Sequence, residues 1–370
     1  MKHVHSAPRP WTAMAGCLTA LATVLTLAFG PESRAADAPS MPPGADIKSM
    51  CGTKPAIVAL ADGFGGNTWR RETLAEIKDE ASKCPNVTKV LYADAQGDPA
   101  KANSDINSLA AQGVNVLIVF PDFGDATLPA LRAATEAGVT VVAYNSKLSG
   151  KDGEDYAANV YQDLDAGVKK WVAWMDKNIK EGTVLYFGGL AGNSFSQTIM
   201  DDLNKDIAPY PKLKLLENQF IATGWATAEA EKATAGVIAK YGKVDVIVTD
   251  FGPVTLGVIK GFQQAGLKVP AMVGLGNNNE VNCLWVDAKA KGQAWPYMTL
   301  EGTTTMVRYA LRRGLSAYEG TKDPDPIGVS TYVFADSFAG IDPKCDHAAP
   351  LDADLSGFLT GDQLKQVFKQ

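Results

Sequence analysis

Short stretches rich in Val, Ile, Leu and Ala recur along this chain, and most are followed by a stretch with helical spacing. The runs lie at 56–61, 87–92, 114–120 and 139–144, and again at 183–187, 213–221, 244–249 and 271–275. Strands that read as continuous apolar runs are buried on both faces, which is the condition of a parallel sheet covered by helices on either side. Helical segments fall near 68–83, 99–112, 126–137, 164–178, 194–207, 226–240 and 254–264. Gly113 and Gly138 stand where two of these helices should end. A polar, Gly-rich stretch at 149–155 separates the first set of units from the second. The pattern therefore predicts an α/β protein of two doubly wound, Rossmann-like lobes with parallel sheets. A further strand–helix pair, 294–300 and 303–313, reads as a return to the first lobe. An amphipathic end near 355–368 closes the chain. The expected organisation is a leader at 1–35, a first lobe from 52–150 plus about 298–325, a second lobe from 151–297, and a hinge or tail segment at 326–370.

The leader reading rests on three features. Lys2 and Arg9 give a positive start, 13–29 is an uncharged apolar run, and Ser33-Arg34-Ala35 precedes Ala36 as a small-residue cleavage site. A run of about 17 residues is at the short limit for a spanning helix, which disfavours a retained anchor. Cys17 follows Met14-Ala15-Gly16, but most of the apolar run lies after it, the reverse of a lipid-modified cysteine. Export is therefore expected. The chain carries 35 Lys+Arg and 41 Asp+Glu, a formal net charge of −6. Losing Lys2, Arg9, Arg34 and Glu32 with the leader makes it more acidic, which argues against a nucleic-acid partner.

Beyond the leader stand four cysteines, Cys51, Cys84, Cys283 and Cys345, and four cysteines allow three pairings. Cys51 precedes the first strand and Cys84 ends the first helix, so both sit at the base of one β-α unit. The expected bridges are Cys51–Cys84 and Cys283–Cys345, each stabilising by roughly 3–4 kcal/mol in the chain-entropy account. A metal site built on Cys345, His347 and another cysteine fits no zinc spacing, and no metal is expected.

The histidines are His3, His5 and His347. Two belong to the leader and one to the tail, so neither lobe can supply a Ser-His-Asp or Cys-His site or a His-ligated catalytic metal. The segment 188–194, reading GGLAGNS, follows a strand and opens a helix but matches neither the dinucleotide fingerprint nor the P-loop. Asp201-Asp202 reads as a solvated helix face. Neither an enzyme nor a cofactor is expected.

The segment 57–71, IVALADGFGGNTWRR, is a strand, a Gly-rich loop and a helix start. Open α/β sheets bind ligands outside the carboxyl ends of their strands, which is where this loop falls. Taken with four further segments, it makes the chain resemble periplasmic solute-binding proteins of the ribose/galactose type, the sugar-binding components of ABC importers, over about residues 52–335. Those segments are Asn107-Ser108-Leu109 with Gln112-Gly113-Val114, then 137–142, then Leu256-Gly257, and Ala265-Gly266-Leu267. Repressors with the same lobes carry an N-terminal helix-turn-helix where this chain has its leader.

The resemblance implies two lobes joined by three hinge strands, a monomer, a small sugar or polyol held between the lobes, and a closed form read by an ABC permease. A sensory binding protein, presenting its ligand to a chemoreceptor or kinase, uses the same closed form. The resemblance places ligand contacts at strand ends. In the first lobe these are Phe64, Asn67, Trp69, Asp122 and Asn145. In the second they are Asn193, Phe195, Gln197, Trp225, Asp250 as a hydroxyl acceptor, Asn278, and Trp295 near the crossing strand. Arg70 reads equally as a solvated helix residue. Many pentose and hexose binders have Asp-Arg where this chain has Asn145-Ser146, and an Arg near Gln197. Neutral amides here suit a neutral polyhydroxylated solute. Thiol counting before and after reduction checks the cysteine pairing: none of the four is expected to react until reductant is added, and four reactive thiols in the native protein would remove both bridges.

Overall fold

The apolar runs become strands because their side chains fill both faces of a sheet; Val116–Phe120 and Val246–Thr249, for example, are buried at every residue. The computed structural model describes residues 40–369, so the expected leader at 1–35 lies outside the described residues. The chain runs β1 (Ala56–Asp62), α1 (Thr68–Ala81), β2 (Val87–Asp94), α2 (Pro99–Ala111), β3 (Val116–Phe120), α3 (Leu128–Glu136), β4 (Thr140–Asn145) and β5 (Ala158–Gln162). It continues through α4 (Leu164–Asn178), β6 (Gly182–Gly188), α5 (Ser194–Ile207), β7 (Leu213–Leu215), β8 (Ile221–Ala222), α6 (Thr227–Tyr241), β9 (Val246–Thr249), α7 (Gly252–Gln264), β10 (Ala271–Leu275), α8 (Asn279–Ala290) and β11 (Tyr297–Glu301). It ends with α9 (Met306–Glu319), β12 (Gly328–Val329), β13 (Tyr332–Asp336) and α10 (Gly361–Val367).

Two sheets result. The first has the order β12-β5-β4-β3-β1-β2 and is parallel throughout. The second has the order β13-β11-β10-β9-β6-β7, with β8 also on β6, and is parallel except for β13, which runs antiparallel to β11. The α/β architecture of two doubly wound lobes is thus present. The chain passes from one sheet's lobe to the other at Asp163, at 302–305 and at 330–331. Helix α9 covers the first sheet, and Gly314 allows the approach: a Cβ there would lie 2.6 Å from Val116.

Several boundaries differ from the expected ones. The first sheet takes in β5, beyond residue 150, and β12, beyond residue 325. β5 is only five residues long and includes polar Asn159 and Gln162, so it has no apolar-run signature. Asn159 is there for its side chain, which accepts from Leu148 N–H and donates to the carbonyls of Ala143 and Ser146. The run 213–221 splits into β7 and β8. β2 is half-exposed because it forms the sheet edge. β11 belongs to the second sheet, and the return to the first lobe follows it.

Both expected disulfides are formed, Cys51–Cys84 and Cys283–Cys345. Among the described residues, the one group with metal-ligand spacing is Cys283, Cys345 and His347, and its two sulfurs are spent on each other. No helix among the described residues is long and apolar enough to cross a membrane.

Helices α1 and α9 are joined by buried charge. Arg308 pairs with Glu76 and, at 2.7 Å, with Asp79 and Glu80, while Arg312 reaches Glu80 at 2.6 Å. Removing one partner of such a set strands the others without compensation. Arg308→Ala is expected to cost roughly 3–5 kcal/mol in urea denaturation, whereas an unchanged midpoint would mean the network is energetically idle.

Candidate functional site

In both sheets the parallel strands end on the same side, and the loops beyond those ends face each other across a cleft. The first lobe contributes Asn67, Trp69, Arg70, Phe120 and Asn145. The second contributes Phe195, Trp225, Asp250, Phe251, Leu275 and Gly276, and Thr303 comes from the crossing segment. The space between them is about 440 Å³, part of it open to solvent.

The loop after β1 is shaped by the cap of α1: Asn67 Oδ1 accepts from the Arg70 N–H at 2.9 Å. This brings Trp69 and Arg70 under the cleft. The Trp69 indole donates to Thr303 Oγ1 at 2.8 Å, tying the first-lobe helix to the crossing segment. Arg70 is 2% exposed and is no solvated helix residue. Its Nη1 donates to Asp62 at 2.9 Å, its Nη2 to Asp122 at 2.6 Å, and its guanidinium carbon sits 3.8 Å from the centre of the Phe120 ring. Burial works against the Arg70 charge, but Asp122 and Asp62 outweigh it and hold the guanidinium protonated. Burial pushes Asp62 up to about 6 despite Arg70.

Across the cleft, Asp250 follows β9. Its Oδ2 accepts from Tyr186 at 2.7 Å and Ser196 at 2.5 Å, and its Oδ1 accepts from the Trp225 indole at 3.1 Å. Burial raises its pKa to about 6, and the three donors only partly offset this. Trp225 has φ +56°, an unusual conformation for a bulky residue. The packing holds it there. Its ring lies against Gly189, where a Cβ would meet it at 2.0 Å, and Phe64 of the first lobe stands 5.8 Å away. Asn145 is a second such residue, with φ +70°; it is 3% exposed, and its Oδ1 accepts no hydrogen bond from the protein. Backbone strain and an unsatisfied buried acceptor at one point of a cleft are features concentrated at binding sites.

Of the residues singled out from the sequence, Asn67, Trp69, Asn145, Phe195, Trp225 and Asp250 line the cleft. Phe64 packs on Trp225 at its edge. Asp122 lies beneath Arg70, and Asn193 reaches across the lobes to the Asp122 carbonyl at 3.1 Å while capping α5. Three residues are placed elsewhere. Gln197 bonds Asp201 at 2.9 Å, one helical turn along. Asn278 caps α8 and holds Asp352 at 3.0 Å. Trp295 precedes β11 and so lies at the opposite end of the strand from the cleft, packed in the core with its carbonyl accepting from Trp285. Phe120, Phe251, Leu275, Gly276 and Thr303 were not anticipated. Phe120 and Leu275 are the last residues of β3 and β10, Gly276 follows β10, and Phe251 lies two residues beyond β9, so widening the strand-end rule by two residues each way would have found them.

Two parallel sheets whose strand ends face one another define a two-lobed α/β protein with its candidate site between the lobes. Residues 58–309 match the model of the periplasmic binding protein domain family, and the chain belongs to that family. It is 26% identical over 199 residues to the xylitol-binding protein of Mycolicibacterium smegmatis, covering 53% of this chain and 55% of that protein. It is 24% identical over 183 residues to the D-xylose-binding periplasmic protein of Escherichia coli, covering 48% and 54%. The chain thus spans about half the length of these two curated relatives. Among solved structures, a galactofuranose binding protein superposes with TM-score 0.66 at 18% identity, over 77% of this chain and 96% of that one. The Caulobacter myo-inositol binding protein superposes with TM-score 0.64 at 22% identity, over 75% and 92%. These likenesses establish the fold.

The raised pKa of Asp250 has a definite sign. The folded state holds this proton more tightly than the unfolded chain does. The associated stability is present in full below about pH 4 and lost as pH rises through about 6. Asp250→Asn is expected to flatten the fall in Tm between pH 4 and 7; melting curves at half-unit pH steps that superimpose in shape on those of the unmodified protein would show that Asp250 titrates normally.

Proposed function

We propose that this chain is the solute-capturing component of an ABC importer. It is exported through a leader at 1–35 that is cleaved, acts as a periplasmic monomer without metal or cofactor, and catalyses no reaction. It closes its two lobes on a small neutral sugar or sugar alcohol and presents the closed form to a membrane permease. The observation that carries this reading is the buried, partnerless Oδ1 of Asn145 at the aromatic-lined cleft between the lobes. A buried acceptor left unmatched is costly, and a ligand hydroxyl is the donor that would satisfy it.

Neutrality follows from the charges. Arg70 is committed to Asp62 and Asp122, and Asp250 already accepts from three protein donors. The cleft surface that remains consists of rings, amides and hydroxyls. Trp69, Phe120, Phe195, Trp225 and Phe251 can pack on the C–H faces of a sugar ring, while Asn67 and Asn145 bond its hydroxyls. Asp250 acts here by fixing Trp225 as well as by facing the solute. Relatives described as binding xylitol and D-xylose support this class. Asp122 and Asn193, which bond across the lobes, hold the closed form.

Thermal-shift screening of pentoses, hexoses, alditols and cyclitols tests the reading. One of them is expected to raise Tm with increasing concentration, as a ligand that binds only the folded state must. Asn145→Ala should then weaken its binding by roughly tenfold, about 1.4 kcal/mol. The proposal fails if no such solute shifts Tm and none is found in the protein as purified.

A further inference from the structure

The segment from 345 to 369 lies beyond the residues matched by the family model, which end at 309, and it touches both lobes. Its first half is fastened to the second lobe. Cys345 is bridged to Cys283 of α8. Asn279 N–H donates to the Ala353 carbonyl at 2.9 Å and Glu280 N–H to that of Leu351 at 2.8 Å. Asn277 Nδ2 donates to Asp354 at 2.6 Å, and Asn277 Oδ1 accepts from Leu355 N–H at 3.0 Å. From Asp354 onward it is also fastened to α1 of the first lobe. Asp354 N–H donates to Glu72 at 2.9 Å, Phe358 N–H to Glu76 at 2.8 Å, and Gln363 to Asp79 at 2.8 Å. Phe368 lies under the Arg71 guanidinium at 5.4 Å. Ala353, Leu355 and Leu364 make a small apolar core of their own beneath this crossing.

We propose that residues 345–369 form a strap, a fourth link between the lobes beside the three crossings of the main fold, which resists opening and holds the solute-free protein near the closed arrangement. The strap crosses next to the segment 302–305, with Gly357 so close to Glu76 and Thr304 that a Cβ would stand 2.4 Å from Glu76 Oε1 and 3.1 Å from Thr304 Oγ1. Asp352 and Asp354 also wall a small cavity with Trp69, Phe251 and Gly276, three residues of the cleft itself. A relative rotation of the lobes must either break the bonds to Glu72 and Glu76 or those to Asn277, and all three of these side chains are buried. The proposal rests on the reading of the two lobes as bodies that open and close, but its test needs no solute.

Ser194 N–H donates across the cleft to the Asp122 carbonyl at 3.2 Å, so its exchange with deuterium reports opening. In a chain shortened to end at Asp346, that amide should exchange roughly tenfold faster, and small-angle scattering should give a larger radius of gyration. The amides of β3 serve as the control for an intact fold. If the control fails, a chain ending at Leu359, which loses only α10 and its contacts to Asp79 and Arg71, is read instead, with a smaller shift in the same direction. Unchanged Ser194 exchange and unchanged dimensions in a folded shortened chain overturn the strap. Either result leaves the thermal-shift screen, and so the solute reading, to stand or fall separately.

Discussion

The guanidinium of Arg70 sets the geometry on which the cleft depends. A buried charge is tolerated only when it is matched, and here one cation is shared by two carboxylates from the ends of neighbouring strands, Asp62 of β1 and Asp122 just after β3. That sharing fixes where both strands stop and how α1 enters. It also orients the Asp122 carbonyl that Asn193 and Ser194 reach from the other lobe. Phe120 lies flat beneath the cation, and Trp69 and Phe195 pack edge-on to Phe120 in turn. The floor of the cleft is therefore one ion-paired unit faced with rings.

The second lobe repeats this logic with hydrogen bonds in place of an ion pair. Asp250 gathers a tyrosine, a serine and an indole, and the indole belongs to a residue held in a left-handed conformation against a glycine. Each lobe thus spends its charge internally before presenting a surface to the cleft. What remains toward the cleft is mostly a lining of rings, amides and hydroxyls.

Much of this was readable from residue patterns. Apolar-rich stretches mark doubly buried strands, so the alternation of units emerged from periodicity, the two lobes from the polar break between two sets of units, and the first disulfide from the cysteine count and the places of Cys51 and Cys84 at the base of the first β-α unit. Where a strand is held by one side chain's hydrogen bonds, as β5 is by Asn159, no run exists to be seen. The site divided along the same line. Several residues in the loops beyond strand ends were found because topology puts those loops at the cleft, whereas Phe120 and Leu275, still inside their strands, were missed, as were Asp62 and Arg70, which are ordinary residues until folding brings them within 2.9 Å. Trp295 was assigned to the cleft from the resemblance, but it sits at the start of its strand, and only the carboxyl end reaches the site.

The return of the chain to its first lobe has a consequence for the order in which the molecule can assemble. The core elements of the second sheet, from α4 to β11, are contiguous in sequence and can condense as soon as they are available. The first sheet is incomplete until α9 and β12 arrive, and the pairing of Glu76 with Arg308 joins residues 232 positions apart. Closing so long a loop carries its entropy cost before any contact repays it. For a chain that emerges amino-terminus first, the earlier half thus waits, with one face only partly covered by α1, for the later half to finish it.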